Sequence, residues 1–327
     1  MGNVPSIKKN FKKKARESAT TSPSYRVAIL GLHNAGKTTL VKRLKMGFGD
    51  GLSEGEVDQC RRTMYRNVLE GLPLLLSFLS EKDVQCEDRD VETTIRRFLG
   101  STDLDDEALS IPSHIGLAID HLCNEPSVSR AIEQNRHEIP VSPSVKWFIN
   151  QILRITSTSY TMTEKDTLRV YEPTVGVPTT HLYSEKYILE VIEVEDSDEV
   201  RNSHISGFGP LILFVVALDE YDKKVDEKNR MHEAISLFEG IVNAERPKKT
   251  TVILLLNKFD LFKEKVEAGI PLSNCFPAYT SGTDVSKACK HIIQQFVSRN
   301  RNELTVFTHV MQLHNSSHAL SLARMAA

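Results

Sequence analysis

Three runs along the chain are mostly apolar and rich in β-branched residues: positions 25–30 (YRVAIL), 187–192 (YILEVI) and 251–256 (TVILLL). Short runs of this kind, bounded by glycine, charge or turn residues, read as buried strands. Positions 305–310 (TVFTHV) read as a further strand. Between the first and second runs the pattern changes. Thr39-Leu40-Val41-Lys42-Arg43-Leu44 opens a helix, and Gly47-Phe48-Gly49-Asp50-Gly51 ends it. From Ser53 to Thr163 strand-like alternation is absent. Positions 60–78 read as one helix that Pro73 should kink or break. Ser142-Pro143 begins another, with Ser142 as cap and Pro143 at the first position, and Val145, Phe148, Ile149, Ile152 and Leu153 recur at helical spacing behind them. The pattern predicts an α/β domain of mostly parallel strands, interrupted by an all-α insertion. Its boundaries fall at 25–50 and 166–327 for the α/β part and 51–165 for the insertion.

A length of 327 residues suits two domains. Apolar content of 40% and charged content of 26% are ordinary for a globular chain. A formal net charge of −2 carries no global signature of nucleic-acid binding. Cys60, Cys86, Cys123, Cys275 and Cys289 form no C-x-x-C, which points to a reduced compartment. No H-E-x-x-H is present, so a zinc site is not expected. The apolar run near positions 72–79 is too short to span a bilayer, and no internal repeat is visible.

Candidate chemistry sits at two strand ends. After the first strand, Gly31-Leu32-His33-Asn34-Ala35-Gly36-Lys37-Thr38 spells G-x-x-x-x-G-K-[ST], the phosphate-binding loop pattern. Glycine lets the backbone wrap close to phosphate oxygens, and the amides opening the next helix point at negative charge. Gly31, His33, Asn34, Ala35, Gly36, Lys37, Thr38 and Thr39 are therefore candidate phosphate contacts. Lys37 would reach the β- and γ-phosphates, and the Thr38 hydroxyl would ligate Mg²⁺.

After the strand at 251–256 stand Asn257-Lys258-Phe259-Asp260. An N-K-x-D so placed resembles the guanine-specificity motif of GTP-binding proteins. The Asp260 carboxylate can accept from both N1–H and the 2-amino group of guanine, and adenine offers neither in that arrangement. Lys258 can lie along the base with its stem, and Asn257 can tie this loop to the phosphate loop.

The chain begins Met1-Gly2-Asn3-Val4-Pro5-Ser6, which fits the N-myristoylation pattern at Gly2. One acyl chain binds membranes only marginally and needs a second signal. Lys8, Lys9, Lys12, Lys13, Lys14 and Arg16 supply it: as a helix, Lys9, Lys12, Lys13 and Arg16 share one face. Thr20-Thr21-Ser22-Pro23-Ser24 then acts as a linker, so positions 1–24 form a separate basic segment at the cytoplasmic face of the plasma membrane.

With the inserted helical segment, these features resemble the α subunits of heterotrimeric G proteins over nearly the whole chain. Asp166-Thr167-Leu168-Arg169 followed by Pro173-Thr174-Val175-Gly176 looks like the family's first switch, and Ala217-Leu218-Asp219-Glu220-Tyr221-Asp222 and Asn229-Arg230-Met231-His232-Glu233 look like its fourth strand and third helix. The resemblance implies GTP/GDP and Mg²⁺ as cofactors, with Thr174 as a second metal ligand beside Thr38 and with Leu168 and Arg169 among the nucleotide contacts. It implies a βγ dimer, a G protein-coupled receptor and an unidentified effector as partners, and no nucleic acid.

Departures from the family concentrate on hydrolysis. The position of its in-cis arginine is taken by Tyr171, which is neutral, and Arg169 two residues earlier should point elsewhere. The family's D-x-G-G-Q is replaced by Glu193-Val194-Glu195-Asp196-Ser197-Asp198-Glu199, in which Glu193 could stand in for the aspartate and no glutamine follows. No catalytic residue is therefore assigned. His33 replaces a common glycine and adds bulk beside the γ-phosphate. Met311-Gln312-Leu313-His314 replaces the family's T-C-A-T, and Asn3 replaces a palmitoylated cysteine. The last helix should start near Ser316, and the receptor-contacting tip of the family is missing. The expectation is a membrane-associated GTP/GDP switch with impaired hydrolysis. The alternative is a non-catalytic module that keeps the fold and sequesters partners; a P-loop kinase is more remote, because N-K-x-D argues against it.

Overall fold

The computed structural model describes residues 23–48, 51–84, 86–136, 138–173, 176–184, 187–194, 210–244 and 250–313. The chain divides into two compact units: Met1–Leu52 with Pro173–Ala327, and Ser53–Glu172. The N-terminal basic segment with Gly2, the acidic run after Val194, Thr174, and the stretch from His314 onward lie outside the described residues.

The first unit is built on a six-stranded sheet. In chain order its strands are β1 (Ser24–Leu30), β2 (Thr179–Tyr183), β3 (Ile188–Glu193), β4 (Leu211–Ala217), β7 (Thr251–Asn257) and β8 (Thr305–Val310), with a small separate hairpin of β5 (Lys224–Val225) and β6 (Lys228–Asn229). Spatial order is β2-β3-β1-β4-β7-β8. The β2–β3 pair is antiparallel and the other pairs are parallel. β2 is a strand that the hydrophobic pattern did not announce: its residues TTHLY are mostly polar and only Leu182 is buried.

Helices cover both faces, as parallel strands buried on both sides require. On one face α1 (Lys37–Gly47) lays Leu40, Val41 and Leu44 over Val27, Ile29 and Val215. On the other, α9 (Arg230–Asn243), α10 (Phe259–Glu267) and α11 (Val285–Val297) pack on Phe214, Leu254 and Leu256. Phe214, Phe238 and Phe296 meet there edge to face or tilted, with centroids 5.2–6.3 Å apart. Register aligns the carboxyl ends of the central strands: Ile29 pairs with both Glu193 and Leu213, and Ala217 with Asn257. In open α/β sheets this edge is where ligands bind.

The second unit is helical: α2 (Glu54–Glu81), α3 (Arg89–Ser101), α4 (Ser113–Asn124), α5 (Pro126–Gln134), α6 (Pro143–Ile149), α7 (Ile152–Ile155) and α8 (Glu164–Arg169). Ser53 opens α2 with a capping box to Glu56. Pro73 stands inside this helix and does not break it. Proline forfeits one hydrogen bond, whereas Val68, Leu69, Leu72, Leu75 and Leu76 around it are buried in the unit's core. The expected single helix after Ser142 is two: α6 ends at Ile149 and α7 resumes at Ile152, leaving Leu153 46% exposed while Ile152 and Ile155 are buried. Among the described residues no helix is long and apolar enough to cross a membrane.

Candidate functional site

The loop between β1 and α1 is shaped by its glycines. Gly31 has φ 144° and Gly36 φ 105°. A Cβ on Gly31 would collide with the Val215 carbonyl oxygen in β4, and one on Gly36 with the Asn257 side-chain amide. Glycine fits both places without strain; any other residue would have to push against backbone at the first and displace the Asn257 side chain at the second. Asn34 also takes a left-handed backbone, φ 63°, which asparagine tolerates better than most residues. Gly36 caps α1, so the first amides of that helix face the loop. Lys37 is buried, and its Nζ donates to the carbonyls of Gly31 at 2.8 Å and Leu32 at 3.1 Å. A buried ammonium beside the first amides of a helix makes this corner of the sheet suited to an anion.

Thr38 and Thr39 follow in the first turn of α1. The Thr38 hydroxyl donates to Glu193 Oε1 at 2.5 Å, and Glu193 is buried at the end of β3. A hydroxyl and a carboxylate side by side are the hard oxygen donors that Mg²⁺ takes. The residue that the sequence offered in place of an aspartate thus touches the hydroxyl of the phosphate-loop motif.

The second loop comes to the first through one amide side chain. Asn257, buried at the end of β7, donates from Nδ2 to the Ala35 carbonyl at 2.9 Å. Its Oδ1 accepts from the Leu313 amide at 3.2 Å. Lys258 takes φ 59° as it opens α10, and its Nζ lies 3.6 Å from Asp219 and 4.0 Å from Glu220. Asp260 stands exposed in the first turn of α10. The segment after β8, which lacks the expected family motif, is held at both ends: Met311 donates to the Leu256 carbonyl at 2.8 Å, and the buried Arg43 of α1 donates from Nε to the Leu313 carbonyl at 2.7 Å.

Other sequence-derived positions belong to the helical unit. Leu168 is buried there, and the Arg169 guanidinium lies 4.8 Å over the Trp147 ring. The Tyr171 amide donates to Asn67 Oδ1 at 3.2 Å.

The model of the G-protein alpha subunit family matches residues 3–323. The chain belongs to that family. It is similar to the guanine nucleotide-binding protein alpha-3 subunit of Neurospora crassa, 31% identical over 299 residues that cover 89% of this chain and 83% of the relative. It is 33% identical over 298 residues to a guanine nucleotide-binding protein subunit alpha of Cryptococcus neoformans, covering 89% and 68%. A subunit alpha of Emericella nidulans is 31% identical over 291 residues, covering 87% and 81%.

Three residues at this Gα-type site were given no role by the sequence: Glu220, Arg230 and Arg43. Glu220 ends the 3₁₀ turn after β4, accepts from Asn34 Nδ2 at 3.2 Å and pairs with Arg230, whose Nη2 donates to the His33 carbonyl at 2.7 Å. The available signal was an acidic pair, Asp219-Glu220, directly after a fully apolar strand, where a carboxylate is buried only if it has partners.

Proposed function

We propose that the carboxyl edge of the sheet binds GDP and GTP with Mg²⁺, and that the protein is a membrane-associated signalling switch with slow hydrolysis. One observation carries this reading. Asn257 joins the phosphate-loop carbonyl of Ala35 to the Leu313 amide, so that the anion-binding loop and the N-K-x-D loop stand side by side. A single ligand with a polyphosphate at one end and a guanine at the other matches that spacing of chemistry.

In this reading Gly31, His33, Asn34, Ala35, Gly36, Lys37, Thr38 and Thr39 hold the phosphates. Asn257 sets the loops, Lys258 supports the base and Asp260 accepts from guanine N1–H and the 2-amino group. The donor set fits Mg²⁺: the Thr38 hydroxyl and the Glu193 carboxylate would hold it, with Thr174 as the third protein oxygen. The metal, when bound, neutralises charge on the β- and γ-phosphate oxygens. Lys37 binds and orients the phosphates, and the α1 amides add backbone donors. Tyr171 brings no cation and no glutamine follows Glu193, so hydrolysis lacks contributions of which the arginine alone supplies ~10³–10⁵ in such enzymes.

Family membership supports a βγ dimer and a receptor as partners. The Met-Gly start and the basic residues after it support acylation at Gly2 and attachment to the cytoplasmic face of the plasma membrane.

The test is equilibrium binding of fluorescent GTP, GDP and ATP with and without Mg²⁺. Guanine nucleotides should bind at least about a hundredfold tighter than ATP, since the acidic residue of the base loop pairs only with guanine. Equal affinity for ATP, or failure to bind GTP and GDP alike, overturns the reading.

A further inference from the structure

Glu220 lies in neither nucleotide motif, yet it touches both. It is 6% exposed. Its Oε1 accepts from Asn34 Nδ2 at 3.2 Å and stands 4.0 Å from Lys258 Nζ and 3.6 Å from Lys223 Nζ. Its Oε2 is 3.5 Å from Arg230 Nε. Arg230 in turn donates to the His33 carbonyl at 2.7 Å and to Glu233 Oε2 at 3.3 Å. Beside it Asp219, 2% exposed, faces Lys258 Nζ at 3.6 Å.

The backbone gives this cluster its meaning. Asn34 and Lys258 both carry a positive φ, 63° and 59°. For a residue with a Cβ such a conformation is disfavoured, less so for asparagine than for lysine. It persists only where the surroundings over-determine it. One strained residue sits in each loop, and the side chains of both converge on Glu220. The carboxylate fixes Asn34 by a hydrogen bond, steadies the neighbouring His33 carbonyl through Arg230, and attracts Lys258 together with Asp219. Its own burial is tolerable because three cations and an amide surround it.

We propose that Glu220 is a positioning residue that sets how long a nucleotide stays bound, by holding the phosphate loop and the base loop in their left-handed turns at once. The proposal rests on the guanine-nucleotide reading of the site. Glu220 acts through Asn34, Arg230 and Lys258. The two loops therefore lose their grip together when it is removed.

The experiment is a double-mutant cycle on the full chain, read as dissociation of fluorescent GDP. Glu220→Ala should speed dissociation by about tenfold or more, the scale of a lost charge-assisted hydrogen bond. Asn34→Ala should speed it less. The double variant should be no faster than about twice Glu220→Ala alone, because both changes break one contact. A double variant whose acceleration is the product of the two single effects overturns the proposal. Should Glu220→Ala fail to fold, Glu220→Gln keeps the shape and removes the charge. Hydrogen exchange then reads the loops directly: amides at 33–36 and 258–260 should exchange faster than in wild type, and those of the helical unit should not change. Unchanged exchange at both loops overturns the proposal. A wild type that holds no GDP overturns the nucleotide reading and the residence-time claim with it. A wild type that holds GDP, beside an unchanged off-rate in Glu220→Ala, overturns the present proposal alone.

Discussion

The hydroxyl of Thr38 donates to Glu193 Oε1 at 2.5 Å, a short contact of the kind made to a charged acceptor. Both residues owe their position to the sheet. Glu193 is the last residue of β3 and pairs with Ile29 of β1, two residues before the phosphate loop opens. A glutamate side chain is one methylene longer than aspartate, and here it reaches the hydroxyl directly.

Metal dependence should therefore run through this pair. Glu193→Gln keeps the shape and removes the charge. Added Mg²⁺ should slow GTP dissociation from wild type, and the variant should need about 10–100-fold more Mg²⁺ for the same effect. Glu193→Asp should retain most of it. The check is a Mg²⁺ titration of the dissociation rate; superimposable titrations of wild type and Glu193→Gln would count against a metal at Thr38.

The two loop glycines should differ in how they fail. Alanine at Gly31 meets the backbone of the central strand β4, which cannot yield, whereas alanine at Gly36 meets the Asn257 side chain, which can move at the expense of its bridge to Ala35. Gly31→Ala should lower the melting temperature more than Gly36→Ala. Gly36→Ala should weaken GDP binding by at least about tenfold while costing roughly 1–3 kcal/mol of stability. Thermal melts and GDP titrations of the two variants decide this, and the opposite ranking of melting temperatures would defeat it.

Hydrolysis offers a gain-of-function prediction. Tyr171→Arg combined with Ser197→Gln supplies the two side-chain types that the chain lacks at the family's positions. Single-turnover hydrolysis of bound GTP should rise by about 10³-fold over wild type, within the range attributed to such an arginine. No acceleration in a double variant that still binds GTP would show that the switch segments are aligned wrongly.

The elements that carry the site were legible because they obey local rules. Buried strands announce themselves by composition, and a glycine loop between strand and helix needs residues that few other structures need. Ser142 and Pro143 open α6 as their types demand, with the Ser142 hydroxyl accepting from the Val145 amide at 3.3 Å. What escaped the sequence depends on distant partners. Pro73 suggested a break, but packing of the leucines around it outweighs one lost hydrogen bond. Asn34 and Glu220 are 186 residues apart, and no periodicity encodes their meeting. β2 was hidden because an edge strand can be mostly polar: its register is set by β3, through pairs such as Leu182 with Leu189.

In the helical unit, Asp166 makes a prediction about stability and pH. It is fully buried and accepts from Arg154 through both oxygens, at 3.0 and 2.7 Å, from the Thr163 amide at 2.9 Å, from the Thr163 hydroxyl at 2.8 Å and from the Tyr160 hydroxyl at 3.1 Å. Desolvation by burial pushes its pKa up. The Arg154 fork and the Thr163 donors outweigh that push and hold the carboxyl below the ordinary aspartate range. The stabilisation is therefore full above the unfolded-state value of about 3.9 and fades as pH falls through the lower folded value. Asp166→Asn should destabilise the unit by about 1–3 kcal/mol near neutral pH, since it removes the charge-assisted hydrogen bonds to the partly exposed Arg154. The gap between wild type and variant should narrow below about pH 4, as the carboxylate takes up its proton in the unfolded wild-type chain before the folded one does. Urea unfolding of both proteins between neutral and acid pH measures that gap, and a gap that stays constant down to pH ~3 would rule out the ionised carboxylate as its source.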